Sequence, residues 1–372
     1  MNTIQTTIDS LIKRAPALND QIYNLVREII MRSKAGQRLE SERLLADRFK
    51  VSRPTVRRAL DQLHNEGLIA KKPGKGNYIT VKAGASTAAV LFYSKSNNLN
   101  SGIYQRYHTG ILSVISYTRH NVMTLCNSDP DLSGPALELI PQGINVILTL
   151  GIMDSAYIRS LERIGVPVIT ADYYLPGLNA DSVTYDTFGA GYILTDHLLG
   201  LGHTDVIFIG GYRGSETTHI VPETDSLKAQ AGFEYRLRTV GLEAKPEQIK
   251  QLSIGAVSSA RQLAQRIFSE NNIPTGFIFF DPSHAKAFIE TAQSLGLRIP
   301  DDVSMCCYGC DAADETTYRA ITATLTDSIQ LGRAAGQLLH QRLENPALPP
   351  RRVTLSVNIV ERGTTAQPKR KF

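Results

Sequence analysis

The chain has 372 residues, of which 42% are hydrophobic and 20% charged, with a net charge of +5; that is ordinary for a folded chain and long enough for two or three domains. It holds no apolar run of about 18 residues, which excludes a membrane-spanning helix, and Met1–Arg14 lacks the apolar core of a secretory leader, so the expected compartment is the cytoplasm. The charge is uneven: between Asp20 and Lys82 there are 14 Lys and Arg against 7 Asp and Glu, while the 290 residues after Lys82 carry a balance of −3, the footprint of a small polyanion-binding module on a slightly acidic body.

Ile22, Leu25, Val26, Ile29 and Ile30 recur at helical spacing and predict a first helix from Asp20 to about Arg32. Ser41 is a plausible N-cap for a second helix whose apolar face is Leu44, Leu45 and Phe49. After the short connection Val51–Arg53, Ser52 and Pro54 open a third helix that runs to about Asn65. Its inward face is Val56, Ala59, Leu60 and Leu63, which leaves Arg53, Thr55, Arg57, Arg58 and Asp61 toward the other faces. Arginines and a hydroxyl at a helix N-terminus suit a recognition helix, because the helix fits the major groove and arginine bonds guanine bidentately. Two short strands follow, Leu68–Ala70 and Asn77–Thr80, with the basic tip Lys71-Lys72-Pro73-Gly74-Lys75-Gly76 between them. Such a tip is a wing, in which glycine permits close backbone approach and lysine supplies charge.

The strings Leu39–Ala46, Val51–Arg57, Glu66–Ile69 and Gly74–Gly76 together resemble the gluconate-repressor (GntR) family of winged helix-turn-helix regulators, over about 60 residues. The resemblance implies contact with double-stranded DNA by Arg43, Arg53, Thr55, Arg57, Lys75 and Gly76. Glu40 stands where that family usually has proline.

Val81–Thr87 is small and polar, which reads as a linker over 82–87 between a DNA-binding domain at 19–81 and a body at 88–365. The body alternates apolar runs with helical stretches. Runs at Ala88–Tyr93, Val122–Cys126, Val146–Leu150 and Val166–Thr170 are separated by helices near Ile103–Arg119, Ala136–Ile140 and Ser155–Ile164. Beyond Asp186 come helices near Phe188–Leu201, Leu227–Val240, Ser258–Asn271 and Ala285–Leu295, and strands at Val206–Gly210, Phe277–Phe280 and Val303–Tyr308. This alternation predicts an α/β body of doubly wound parallel sheets in two lobes with a cleft between them.

Gly165–Val168, Asp186, His197-Leu198, Leu201–His203, Gly232-Phe233, Gly296–Val303 and Leu331–Ala335 resemble the effector domain of the lactose/galactose-repressor family, which shares its fold with periplasmic sugar-binding proteins. The resemblance implies a homodimer reading a palindromic operator, and a small-molecule effector, a sugar or related polyol, bound between the lobes. Asp172 and Asp311 stand where that family bonds a sugar, Asp281 where it has the Asn of an Asn-Asp pair, and Ala229 where it has a clamping arginine. Tyr93, Tyr173 and Phe280 are rings that could stack on a ligand. The expected effector residues are therefore Tyr93, Asp172, Asp281 and Asp311. The departures at Ala229 and Pro282 leave open a body that only dimerises or that binds a non-sugar ligand.

No nucleophile elbow, phosphate loop or paired metal motif is present, so no enzymatic activity, cofactor or metal is expected. Cys307-x-x-Cys310 lacks a second pair for a tetrahedral site and reads as a buried strand end. The eight histidines form no cluster at ligand spacing.

Overall fold

The computed structural model describes residues 18–31, 33, 36–65, 68–80, 86–93, 102–118, 120–127, 143–152, 154–213, 221–222, 224–311 and 318–369. The expected helix at Ala136–Ile140 lies outside them. Among the described residues no helix is long and apolar enough to cross a membrane.

The N-terminal head holds α1 (Leu18–Met31), α2 (Glu42–Phe49), α3 (Arg53–Asn65) and the hairpin β1 (Ile69–Lys72) and β2 (Gly76–Ile79). Ser41 caps α2 by accepting the Leu44 N–H at 3.3 Å. Lys50 ends α2 in a left-handed conformation, φ 54°, and that turn aims α3 across α2. The Ser52 hydroxyl accepts the Thr55 N–H at 3.3 Å and caps α3. Val56, Ala59, Leu60 and Leu63 face inward as expected. Leu44 does not: it is 51% exposed, and Leu45 and Ala46 carry the buried face of α2. The wing is shorter than the sequence suggests. Lys71 and Lys72 pair within the hairpin opposite Asn77 and Gly76, and the turn is Pro73-Gly74 with Gly74 at φ 70°, the residues a type II turn requires.

The first lobe contains β3 (Thr87–Tyr93), α4 (Gly102–Ile115), β4 (Asn121–Asn127), β5 (Val146–Leu150), α5 (Ser155–Glu162), β6 (Val168–Ala171) and β7 (Asp181–Tyr185). The chain then crosses into the second lobe through α6 (Thr187–Gly200), β8 (Val206–Arg213), β9 (Val221–Pro222), α7 (Thr224–Thr239), β10 (Ile249–Ser253), α8 (Val257–Phe268), β11 (Gly276–Phe279), α9 (Pro282–Ser294), β12 (Ser304–Asp311) and β13 (Thr322–Thr326). It returns through α10 (Ser328–Glu344) and β14 (Arg352–Leu355), then crosses a third time into β15 (Asn358–Val360).

The first sheet runs β14-β7-β6-β5-β3-β4, parallel throughout; the second runs β10-β8-β11-β12-β13-β15, antiparallel only at β15 and at the β9–β8 pair. Residues of β5, β6, β7 and β11 are buried on both faces, as apolar strands between helical layers must be. Thr87, expected in the linker, already pairs with Asn121 in β3, and residues 82–85 lie outside the described set. A close helix pair occurs in each lobe. A Cβ on Gly332 of α10 would sit 2.2 Å from the Tyr107 carbonyl oxygen of α4, and one on Gly191 of α6 would sit 1.9 Å from the Ala229 carbonyl of α7. The head packs on the first lobe, since Met123 of the edge strand β4 is fully buried in the head's own apolar cluster.

Candidate functional site

The head presents a groove of about 510 Å³ between the N-terminal ends of α2 and α3 and the hairpin. Arg38, Arg43, Arg57, Lys71 and Lys72 line it, against the single acid Glu42. Arg57 Nε and Nη2 donate to Glu42 Oε2 at 3.1 and 2.9 Å, and this hydrogen bond raises the guanidinium pKa further above its ordinary value. The fork is thereby held across α2 and α3. Lys71 pairs with Asp61, and the Lys72 ammonium lies 4.5 Å above the Tyr78 ring.

Of the expected DNA contacts, Arg43, Arg57 and Gly76 share this groove. Arg53 is exposed at the first residue of α3, and Lys75 is exposed at the wing tip. Thr55 is half-buried, and its hydroxyl shares a 2.7 Å hydrogen bond with Ser52. Gly76 has φ 98°, and a Cβ there would meet Arg38 Nε at 3.1 Å. Arg38 was missed by the sequence reading. It bridges to Tyr78, which carries an otherwise unremarked loop arginine into the groove.

A second cavity, of about 320 Å³, lies between the lobes at the carboxyl ends of both sheets. The first lobe contributes Ile103, Tyr107, Asp172, Tyr173 and Tyr185; the second contributes Asp225, Ile254, Phe280, Asp281, Pro282, Tyr308 and Gly309, with Thr326 at the crossing. Asp172 stands at φ 83°, a strained conformation of the kind that collects at ligand sites. Its Oδ1 accepts the Tyr107 hydroxyl at 2.9 Å. Burial, then Asp172, pushes the Tyr107 phenol well above its usual pKa, and burial does the same for Tyr185 and Tyr308. All three therefore stay protonated donors. The Tyr185 hydroxyl is buried beside the Asp327 backbone without a well-formed hydrogen bond. Phe280 stacks on Tyr308 with centroids 5.1 Å apart. Asp225 accepts from Lys228 Nζ at 2.8 Å.

Asp172 and Asp281 thus line the cavity, with Tyr173 and Phe280. Asp281 is also the N-cap of α9: its two oxygens accept the Ser283 and Gly255 N–H groups at 2.8 and 2.7 Å. Asp311 lies outside the cavity lining, accepts the Ser328 hydroxyl, and sits 3.4 Å from Arg106 Nε. The Tyr93 side chain lies outside the described residues. Tyr107, Tyr185, Asp225 and Tyr308 were not foreseen: Tyr107 and Tyr308 lie inside a helix and a strand end without a motif, and Tyr185 and Asp225 lie between the elements that the sequence pattern marks.

Cys307 and Cys310 are buried with sulfurs 3.5 Å apart. The hydrogen bond between them and their burial raise the Cys307 thiol well above its usual pKa, which keeps it protonated and inert. The histidines do form a cluster. His120 joins His340 and Glu344, with one ligating atom of each within 4.8 Å of the others, a convergence that only the fold brings about.

Residues 18–79 match the family model of bacterial regulatory proteins of the gntR family, and residues 195–365 match the periplasmic binding protein-like domain. The chain is 24% identical over 375 aligned residues to an arabinose metabolism transcriptional repressor of Halalkalibacterium halodurans, covering 93% of this chain and 97% of that protein. A repressor of the same description from Geobacillus stearothermophilus is 22% identical, covering 84% and 86%. Among solved structures, a LacI family transcriptional regulator from Enterococcus faecium with bound ribose superposes with a TM-score of 0.60 at 21% identity, covering 76% of this chain and all of that one. The transcriptional regulator CelR–cellobiose complex gives 0.61 at 16% identity, covering 88% and all of that chain. These likenesses establish the two-lobed fold.

Proposed function

We propose that this chain, a gntR-type helix-turn-helix domain joined to a periplasmic-binding-protein-like domain, is a DNA-binding transcriptional repressor released from its operator by an unphosphorylated sugar or related polyol bound between the lobes. The DNA-binding domain is taken as 19–81, the linker as 82–87 and the effector body as 88–365. Arg43, Arg53, Thr55, Arg57, Lys75 and Gly76 contact DNA, and Arg38 joins them from the groove wall. The protein works in the cytoplasm as a homodimer, because symmetric half-sites call for a symmetric pair of heads.

The observation that carries the effector reading is the cavity lined from both lobes. A ligand touching both lobes binds their closed arrangement better than the open one, and that difference is what shifts the equilibrium. The lining offers three carboxylates, four phenols and the stacked Phe280–Tyr308 pair, and no Lys or Arg among the described residues. Carboxylates make strong hydrogen bonds to hydroxyls, and aromatic faces pack on the apolar face of a sugar ring. A phosphate would meet like charge from Asp172 and Asp281, and the nearby Lys228 is already paired with Asp225. The repressors of arabinose metabolism and the ribose and cellobiose complexes among the relatives support the same class.

The test uses DNA selected from a random pool by the purified protein, with affinity measured against unphosphorylated sugars, polyols, sugar phosphates and nucleosides. The expected hit raises thermal stability, by about 2.7 kcal/mol at 100 times its dissociation constant, and weakens DNA binding. Asp172→Asn should retain DNA binding and lose that response. A panel-wide blank in both readouts would favour a body that only dimerises.

A further inference from the structure

We infer that His120, His340 and Glu344 form a binding site for a divalent transition ion of the zinc class, at the end of the first lobe opposite the interlobe cavity. His340 and Glu344 lie one turn apart on α10 and so project from one face. His120 stands just before β4, at the amino end of a sheet whose carboxyl ends form the cavity. His120 Nε2 lies 2.7 Å from Glu344 Oε1, and the imidazole rings are 5.5 Å apart.

A plain hydrogen bond between His120 and Glu344 explains too little. It occupies one ring nitrogen and gives His340 no role. His120 Nδ1 and His340 Nδ1 are both buried without a hydrogen-bond partner among the described residues, and the His120 side chain is only 1% exposed. Buried imidazole nitrogens are ordinarily satisfied, so two orphans in one cluster point to a missing partner. Two imidazoles and one carboxylate are the donor set of a three-ligand zinc site with water in the fourth position. That set is too rich in nitrogen for calcium or magnesium. Ligands at about 2.0–2.2 Å from a common ion must draw closer than the 4.8 Å spread seen here. Glu344, with its side chain 42% exposed, stands at the solvent edge of the cluster. The site braces α10 against the start of β4, three residues from Met123, the side chain buried in the head's core.

The experiment uses tag-free, full-length protein stripped with a chelator, titrated with zinc chloride by calorimetry and checked by equilibrium dialysis with elemental analysis. One zinc per chain is expected, with a zinc-dependent rise in Tm. Half-buried His340 is the safer position to change, so His340→Gln should fold normally and bind zinc at least about a hundredfold more weakly. A Cys307→Ser/Cys310→Ser double variant should bind as the wild type does. The inference is overturned by a stripped wild-type protein that takes up no stoichiometric zinc, by wild-type affinity in His340→Gln, or by loss of binding in the cysteine variant instead.

Discussion

Gly332 is a position where the structure makes a sharp demand on a single hydrogen atom. A Cβ built there would lie 2.2 Å from the Tyr107 carbonyl oxygen, 2.9 Å from its carbon and 3.0 Å from the Gly110 Cα. All three are backbone atoms, so no side chain can rotate away. Restoring ordinary contact needs α10 and α4 to part by about 1 Å, in a helix pair that covers one face of the first lobe. Overpacking of this kind costs about 1–3 kcal/mol. Better helix propensity returns at most about 1 kcal/mol. Gly332→Ala should therefore lose roughly 1–2 kcal/mol, or about 2–8 °C in Tm for a domain of this size. Gly200→Ala is the control: it ends α6 with nothing within 4 Å, and it should be neutral or gain up to about 1 kcal/mol. Thermal unfolding by circular dichroism compares the two. The displaced Tyr107 also carries the bond to Asp172, so the response to an effector should weaken in Gly332→Ala alone. Melting of Gly332→Ala at or above the wild-type temperature would refute the close-packing argument.

Arg53→Ala should weaken binding to selected DNA by roughly 1–3 kcal/mol and relax preference at one base position. Lys75→Ala, by contrast, should weaken all sequences alike and flatten the salt dependence by about one ion. Fluorescence anisotropy across salt and competitor series separates them, and equal, sequence-independent losses would sink base reading by Arg53. The pH dependence of stability is set in part by His108, His197, His203 and His284, whose pKa values burial lowers from 6.5. Below 6.5 the unfolded chain binds protons that the folded chain resists, so their contribution is full above that pH and stability falls as the pH drops through it. Melting temperature should hold nearly level from pH 8 to about 7 and fall from there to pH 5; a flat profile from about pH 7 to 5 would contradict the burial of these rings as neutral groups.

The head was largely readable because its signals are local: Ser41 and Ser52 announce their helices, and period 3.6 orients α3. Where local signals fail, tertiary contact decides. Leu44 matches the helical stripe yet faces solvent, because an eight-residue helix offers too little face to bury all of it. Arg38 has no motif of its own and acquires its place only through the bridge to Tyr78. The cavity was harder, for a chemical reason. An aspartate at the carboxyl end of a strand can meet a ligand hydroxyl or cap the next helix, and both uses place the same residue at the same spot. Asp186, Asp281 and Asp327 all cap helices, whereas Asp172 precedes none and accepts the Tyr107 hydroxyl. Residue type and position alone cannot separate these uses; the partners of each oxygen can. The histidine cluster shows the same limit at long range. His340 and Glu344 have ligand spacing within one helix, but the residue that completes them lies 224 positions before Glu344, and only the packing of α10 at the mouth of β4 brings it there.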